Sequence, residues 1–145
     1  MQTQLLGQLD PATHFPLPLF LESVQAGFPS PAQDYIEKTL DLNELCIRHP
    51  SATFLVRASG LSMIGVGIYP GDILVVDRSI TAEHGHIVIA CLNGEMTVKE
   101  LCTKPTYRLI PHNPKYQLIE ITDGLELDIF GVVTNVIKNM LNRHV

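Results

Sequence analysis

A mainly antiparallel β domain, entered through short N-terminal helices and an extended N-terminal arm, is the fold class this sequence predicts. Three observations carry that expectation. From Thr53 onward, short runs rich in Val, Ile, Leu and Thr alternate with turn residues. No long helical stretch lies between those runs, so nothing is available to carry parallel crossovers. Two of the runs meet at Asn93-Gly94, the dipeptide preferred in a two-residue type I′ hairpin turn.

Taken in chain order, residues 1–18 hold Pro11, Pro16 and Pro18 with scattered apolar residues and no sustained period, which reads as an extended arm. Leu19 to Gln25 predicts one short helix, broken by Gly27, Pro29 and Pro31. Ser30-Pro31-Ala32-Gln33 has the form of a capping box and predicts a second helix, with Ala32, Tyr35, Ile36 and Leu40 at helical spacing. Asp41-Leu42-Asn43-Glu44 opens a third short helix, with Leu45 and Cys46 inward and Pro50 closing it. The predicted strands are Thr53 to Ala58, Ile73 to Asp77, Ile87 to Leu92, Glu95 to Leu101, Tyr107 to Ile110, Leu118 to Ile121 and Leu127 to Ile137. Across the Asn93-Gly94 turn, a two-residue loop sets Leu92 opposite Glu95 and Val88 opposite Lys99.

Composition bounds the function. With 145 residues, 46% of them hydrophobic and 17% charged, the chain is globular in character. A chain of this size buries about 68–70% of its surface around one core. Fifteen acidic residues against ten Lys plus Arg give a net charge of -5, which argues against a surface that grips phosphate backbones through clustered cations. Protein partners are expected, with no direct specific nucleic-acid binding. No apolar run reaches the roughly 18 residues of a membrane span, and residues 1–14 lack a basic start followed by an apolar block. A cytoplasmic chain is expected. Cys46, Cys91 and Cys102 make an odd count without CxxC spacing and read as buried, reduced thiols.

Lys99 is the first chemical anomaly. By strand alternation it shares a face with Thr97 and Leu101, and by hairpin register it meets Val88 and Ala90. One reading is an edge lysine that snorkels to water; the other is a desolvated amine with a lowered pKa, able to act as a base. Ser62, in Ser59-Gly60-Leu61-Ser62-Met63-Ile64, is the matching nucleophile candidate: it follows a predicted strand at once, among glycines that permit a tight turn. A capping serine in a glycine turn is the alternative. The segment fits neither GxSxG nor SxxK. Six histidines offer no clear triad member, and His84-Gly85-His86 with Cys91 lacks further ligands at structural-zinc spacing, so no metal and no cofactor is expected.

Taken together, Ala26-Gly27-Phe28-Pro29-Ser30-Pro31, Ser59-Gly60-Leu61-Ser62-Met63, Gly71-Asp72-Ile73-Leu74-Val75-Val76-Asp77, Thr97-Val98-Lys99 and Phe130-Gly131-Val132-Val133 closely resemble the UmuD family. These are self-cleaving accessory subunits of SOS-induced error-prone polymerases, related to the peptidase half of the LexA repressor. The resemblance covers about residues 15 to 138 and leaves residues 1–14 without a counterpart. It implies a LexA/UmuD-like antiparallel β peptidase domain that cuts its own chain. Ser62 matches the nucleophile, Lys99 the general base, and Ala26-Gly27 the scissile bond. It further implies a removable arm, 1–26, and a peptidase domain, 27–145, including a short helical lead-in. The implied partners are a RecA filament on single-stranded DNA as co-protease, a second copy in a homodimer, and a UmuC-like Y-family polymerase subunit.

Two other classes share these motifs. A LexA-type or phage-type repressor needs a basic helix-turn-helix domain before the cleavage site, and 26 residues leave no room for one. A type I signal peptidase needs a membrane anchor, which the apolar pattern does not supply.

Overall fold

The computed structural model describes residues 3–8, 16–20 and 36–141. Its elements are β1 (Thr3–Gln8), β2 (Pro16–Phe20), β3 (Ile36–Asp41), α1 (Leu42–Cys46), β4 (Thr53–Ala58), β5 (Ile73–Asp77), β6 (Ile87–Leu92), β7 (Glu95–Cys102), β8 (Arg108–Ile110), β9 (Ile119–Glu120) and β10 (Leu127–Ile137). The β6–β7 hairpin forms as its turn residues require. Asn93 and Gly94 adopt φ of 49° and 85°, the left-handed region of a type I′ turn. Leu92 then pairs with Glu95 and Val88 with Lys99, the register read from the sequence.

Eight strands form one antiparallel sheet in the order β1-β4-β5-β10-β6-β7-β8-β9, and β2 pairs with β3 in a separate two-stranded sheet. Alternation along the central strands feeds two apolar clusters. Val56, Ala58, Leu74, Val76, Ile89 and Val98 pack with Met63 and Ile68 in one. Val88, Ala90, Leu101, Leu109 and Val132 form the other. Strands β5, β10 and β6 separate β4 from β7, which in a flat sheet would hold those two about 19 Å apart. The ladder of β10 shifts register between Ile129 and Gly131 and again between Val133 and Asn135. Such bulges bend and twist a strand, and here they fall in the strand that bridges the two halves of the sheet.

The N-terminal third corrects several expectations. Leu19 and Phe20 end strand β2, and Ile36–Asp41 is strand β3, where helices were expected. Residues 21–35, including the predicted Ser30 cap, lie outside the described residues. Helices of one or two turns are marginal without tertiary support, whereas the β2–β3 ladder gives both segments backbone partners from Pro16↔Asp41 to Phe20↔Ile36. Helix α1 does form, with Asp41 as N-cap accepting a hydrogen bond from the Asn43 amide at 3.2 Å. Leu45, expected inward, is exposed. The two described segments of the N-terminal region, Thr3–Gln8 and Pro16–Phe20, are strands, and the first is paired within the main sheet, where β1 adds an edge strand to β4 from Thr3↔Ala58 to Gln8↔Phe54. All three cysteines are free; Cys102 is buried and the other two half-buried.

Candidate active site

Beyond Ala58 the chain leaves β4, turns through Ser59–Met63 and enters a short 3-10 turn at Ile64–Val66. Met63 and Ile68 anchor this segment in the first apolar cluster. The last three carbonyls of the turn, those of Leu61, Ser62 and Met63, accept hydrogen bonds. The Met63 carbonyl accepts from the Val66 and Ile68 amides at 3.2 and 3.3 Å. The loop after β8 adds two donors, the His112 amide to the Ser62 carbonyl at 2.7 Å and Asn113 Nδ2 to the Leu61 carbonyl at 3.0 Å, the latter oxygen also accepting from the Ile64 amide at 3.4 Å; in return the Gly65 amide donates to the His112 carbonyl at 2.8 Å. Glycine is needed at 65 for space, since a Cβ there would lie 2.5 Å from the His112 carbonyl oxygen.

Lys99 comes from the regular part of the sheet. Its Nζ donates to Thr97 Oγ1 at 2.6 Å and to Ser62 Oγ at 3.3 Å. Thr97 and Lys99 are two residues apart on β7 and so share a face, which puts the hydroxyl beside the amine. Ser62 is 0% and Lys99 5% exposed, so neither group meets bulk water. Burial pushes the Lys99 ammonium below the ordinary lysine range. That is the direction a base needs. Once deprotonated, the amine keeps two hydrogens and gains a lone pair. It can still donate to Thr97 while accepting the Ser62 hydroxyl proton, the geometry of an activated serine nucleophile.

The structure therefore brings Ser62 and Lys99 together. Ala26 and Gly27 lie outside the described residues. The four described histidines have other partners. His49 Nδ1 pairs with buried Asp77 at 2.6 Å, while Nδ1 of His84 accepts from the Thr103 amide and Nδ1 of His86 from the Glu83 amide. His112 Nε2 contacts Glu100 Oε1 at 3.0 Å, next in sequence to Lys99. Among the described residues no group of three or more His, Cys, Asp and Glu side chains could hold a metal ion, and no helix is long and apolar enough to cross a membrane. Sequence reasoning set Thr97 on the face of Lys99 without giving it a role, and it missed Asn113. Strand period two points from Lys99 to Thr97; no local signal joins Asn113 to Leu61, 52 residues away.

A mainly antiparallel β fold that carries a buried serine against a buried lysine defines a class of serine peptidase. The chain belongs to the Peptidase S24-like family, whose model matches residues 18–134. Within it, this protein is UmuD-like. It is 49% identical over 120 residues to Protein MucA of Escherichia coli, covering 82% of each chain. It is 54% identical over 117 residues to Protein SamA of Salmonella typhimurium strain LT2, covering 81% of each. A LexA repressor from Verminephrobacter eiseniae is 35% identical over 126 residues, which span 86% of this chain and 55% of that repressor. The expected kinship with the UmuD-family SOS mutagenesis proteins is thereby established at the level of the family.

Proposed function

We propose that this protein cleaves its own chain once, at Ala26-Gly27, with Ser62 as nucleophile and Lys99 as general base. The observation that carries the reading is the Lys99 Nζ to Ser62 Oγ contact of 3.3 Å inside a water-excluded site. A lysine at its ordinary pKa of about 10.4 is neutral roughly one time in a thousand at about pH 7.4, and burial works against that charge. In the reaction, Lys99 takes the Ser62 proton as Oγ attacks the Ala26 carbonyl carbon. The amine then passes that proton to the departing Gly27 nitrogen, leaving an acyl-enzyme at Ala26. Water, deprotonated by the same lysine, releases the Ala26 carboxylate and restores Ser62. Small residues on both sides of the bond favour access to the carbonyl. Supply of the bond from the same chain or from a second copy gives the high effective concentration that a single turnover needs.

Ser62 is 0% exposed, so its hydroxyl is closed to solvent and to free substrates. Latency of that kind favours an external trigger, and a RecA filament on single-stranded DNA is the trigger that kinship with the UmuD group suggests. On this reading residues 1–26 are a removable arm, and 27–145 form the working domain. As a cytoplasmic homodimer it would serve as accessory subunit to a UmuC-like Y-family translesion polymerase. The test is incubation of wild type and Ser62→Ala with activated RecA filament, followed by mass spectrometry. The expected product begins at Gly27 and is absent from Ser62→Ala. A product with another N-terminus, or processing of the alanine variant, overturns the assignment.

A further inference from the structure

The nucleophile turn is held from behind by one loop, and the contacts fall on particular peptide groups. Asn113 Nδ2 donates to the Leu61 carbonyl at 3.0 Å, and the His112 amide donates to the Ser62 carbonyl at 2.7 Å. Asn113 is itself fixed, because its Oδ1 accepts from the Lys115 amide at 3.0 Å. The same loop is tied to β7 through His112 Nε2 and Glu100 Oε1 at 3.0 Å. Peptide groups are planar and trans, so the N–H of a peptide unit points opposite to its C=O. Holding the Leu61 carbonyl toward Asn113 turns the Ser62 N–H away from the loop, and holding the Ser62 carbonyl does the same for the Met63 N–H. Two successive amides are thus oriented from the loop side, through backbone carbonyls and not through the Ser62 Oγ to Lys99 Nζ contact. Acyl transfer from a serine needs such pre-aimed donors where the carbonyl oxygen becomes an oxyanion.

We propose that Asn113 is a positioning residue for the self-cleavage reaction: through the Leu61 carbonyl it orients the Ser62 amide as an oxyanion donor. The inference rests on the Ser62/Lys99 peptidase reading. It separates two contributions to catalysis, proton transfer by Lys99 and stabilisation of the oxyanion by an amide that Asn113 aims. Asn113→Asp is the informative change. The carboxylate keeps the acceptor for the Lys115 amide, loses the donor to Leu61, and sets an acceptor against an acceptor.

The experiment follows self-cleavage of the full chain against pH, for wild type, Asn113→Asp, Asn113→Ala and Ser62→Ala. In parallel, the thiol of Ser62→Cys, with and without Asn113→Asp, is alkylated with iodoacetamide, a reaction that forms no oxyanion. The expected result is an alkaline plateau lowered about 10- to 100-fold in both Asn113 variants, less than the 10²–10³ lost when a donor is removed outright. The apparent pKa of the rate and the pH dependence of alkylation stay unchanged. A plateau within twofold of wild type in either folded variant overturns the proposal. So does a parallel shift in the apparent pKa or in alkylation, which would mean that Asn113 acts on the dyad itself. Failure of wild type to self-cleave, or cleavage by Ser62→Ala, counts instead against the peptidase reading on which the proposal stands.

Discussion

The two halves of the candidate dyad are held by different kinds of structure. Lys99 sits on a regular ladder: a two-residue turn sets the β6–β7 register, the register sets Val88 against Lys99, and strand alternation puts Thr97 beside its amine. Ser62 sits on an irregular turn whose shape depends on a loop some fifty residues later in the chain, through His112 and Asn113. The base is positioned by local rules that repeat along a strand. The nucleophile is positioned by a few long-range hydrogen bonds from that loop together with local bonds inside the turn. A perturbation of the same size should therefore cost more chemistry on the serine side than on the lysine side, unless it removes the titrating amine.

Removing the amine is the largest expected effect. Lys99→Arg keeps the charge and the reach but cannot lose a proton in the working range, so the variant should show no self-cleavage at any pH at which the fold survives. Gel analysis after prolonged incubation at alkaline pH checks this. An arginine variant processed at even a modest rate breaks the assignment of a basic role to position 99.

Next in size is a matched pair of glycine substitutions. Gly65→Ala would put a Cβ 2.5 Å from the His112 carbonyl oxygen, forcing apart the loop and the turn it holds. Overpacking of this kind costs about 1–3 kcal/mol. Gly94→Ala keeps open space around the new Cβ but requires a residue with φ of 85°, at a cost of about 1–2 kcal/mol. Urea denaturation should find comparable losses of stability. Cleavage should fall at least tenfold for Gly65→Ala and about twofold or less for Gly94→Ala. Equal losses of activity would erase the distinction between the two supports.

The same contrast explains what the sequence disclosed. The hairpin, the paired face of Thr97 and Lys99, and the strands β4, β5, β6 and β10 follow from period two and turn chemistry, which are local. Helical spacing at Ile36 and Leu40 misled because β2 offered Ile36–Asp41 a ladder, a partner that no window of neighbouring residues reveals. Leu45 misled because a helix of five residues, Leu42–Cys46, buries little. Ser62 was legible as a serine in a turn after a strand, but its approach to Lys99 depends on the path of a sheet with three strands between β4 and β7. Asn113 was not legible at all, since its partner is a backbone carbonyl and any residue at position 61 would supply one.

The smallest expected effect is on stability, and it tests whether the lysine side of the site is tuned for chemistry at the expense of the fold. Lys99 has its pKa lowered by burial, so the folded chain gives up this proton at a lower pH than the unfolded chain does. Between the folded value and the unfolded value of about 10.4, the unfolded state binds more protons, and unfolding free energy rises with pH. Below that window both states are charged and the full desolvation cost is present. Lys99→Met removes the buried charge with similar volume, and also removes the donor to Thr97 and Ser62, a loss of about 1 kcal/mol per hydrogen bond. These opposing terms leave the absolute difference small, so the discriminating quantity is its pH dependence. Relative to wild type, the methionine variant should be at its most stable below the folded-state pKa of Lys99 and lose that advantage as pH climbs from there toward the unfolded value of about 10.4, measured by urea denaturation at a series of pH values. A difference that stays flat across that range would mean that Lys99 pays no burial cost when charged, and that its position on the ladder is structural rather than catalytic.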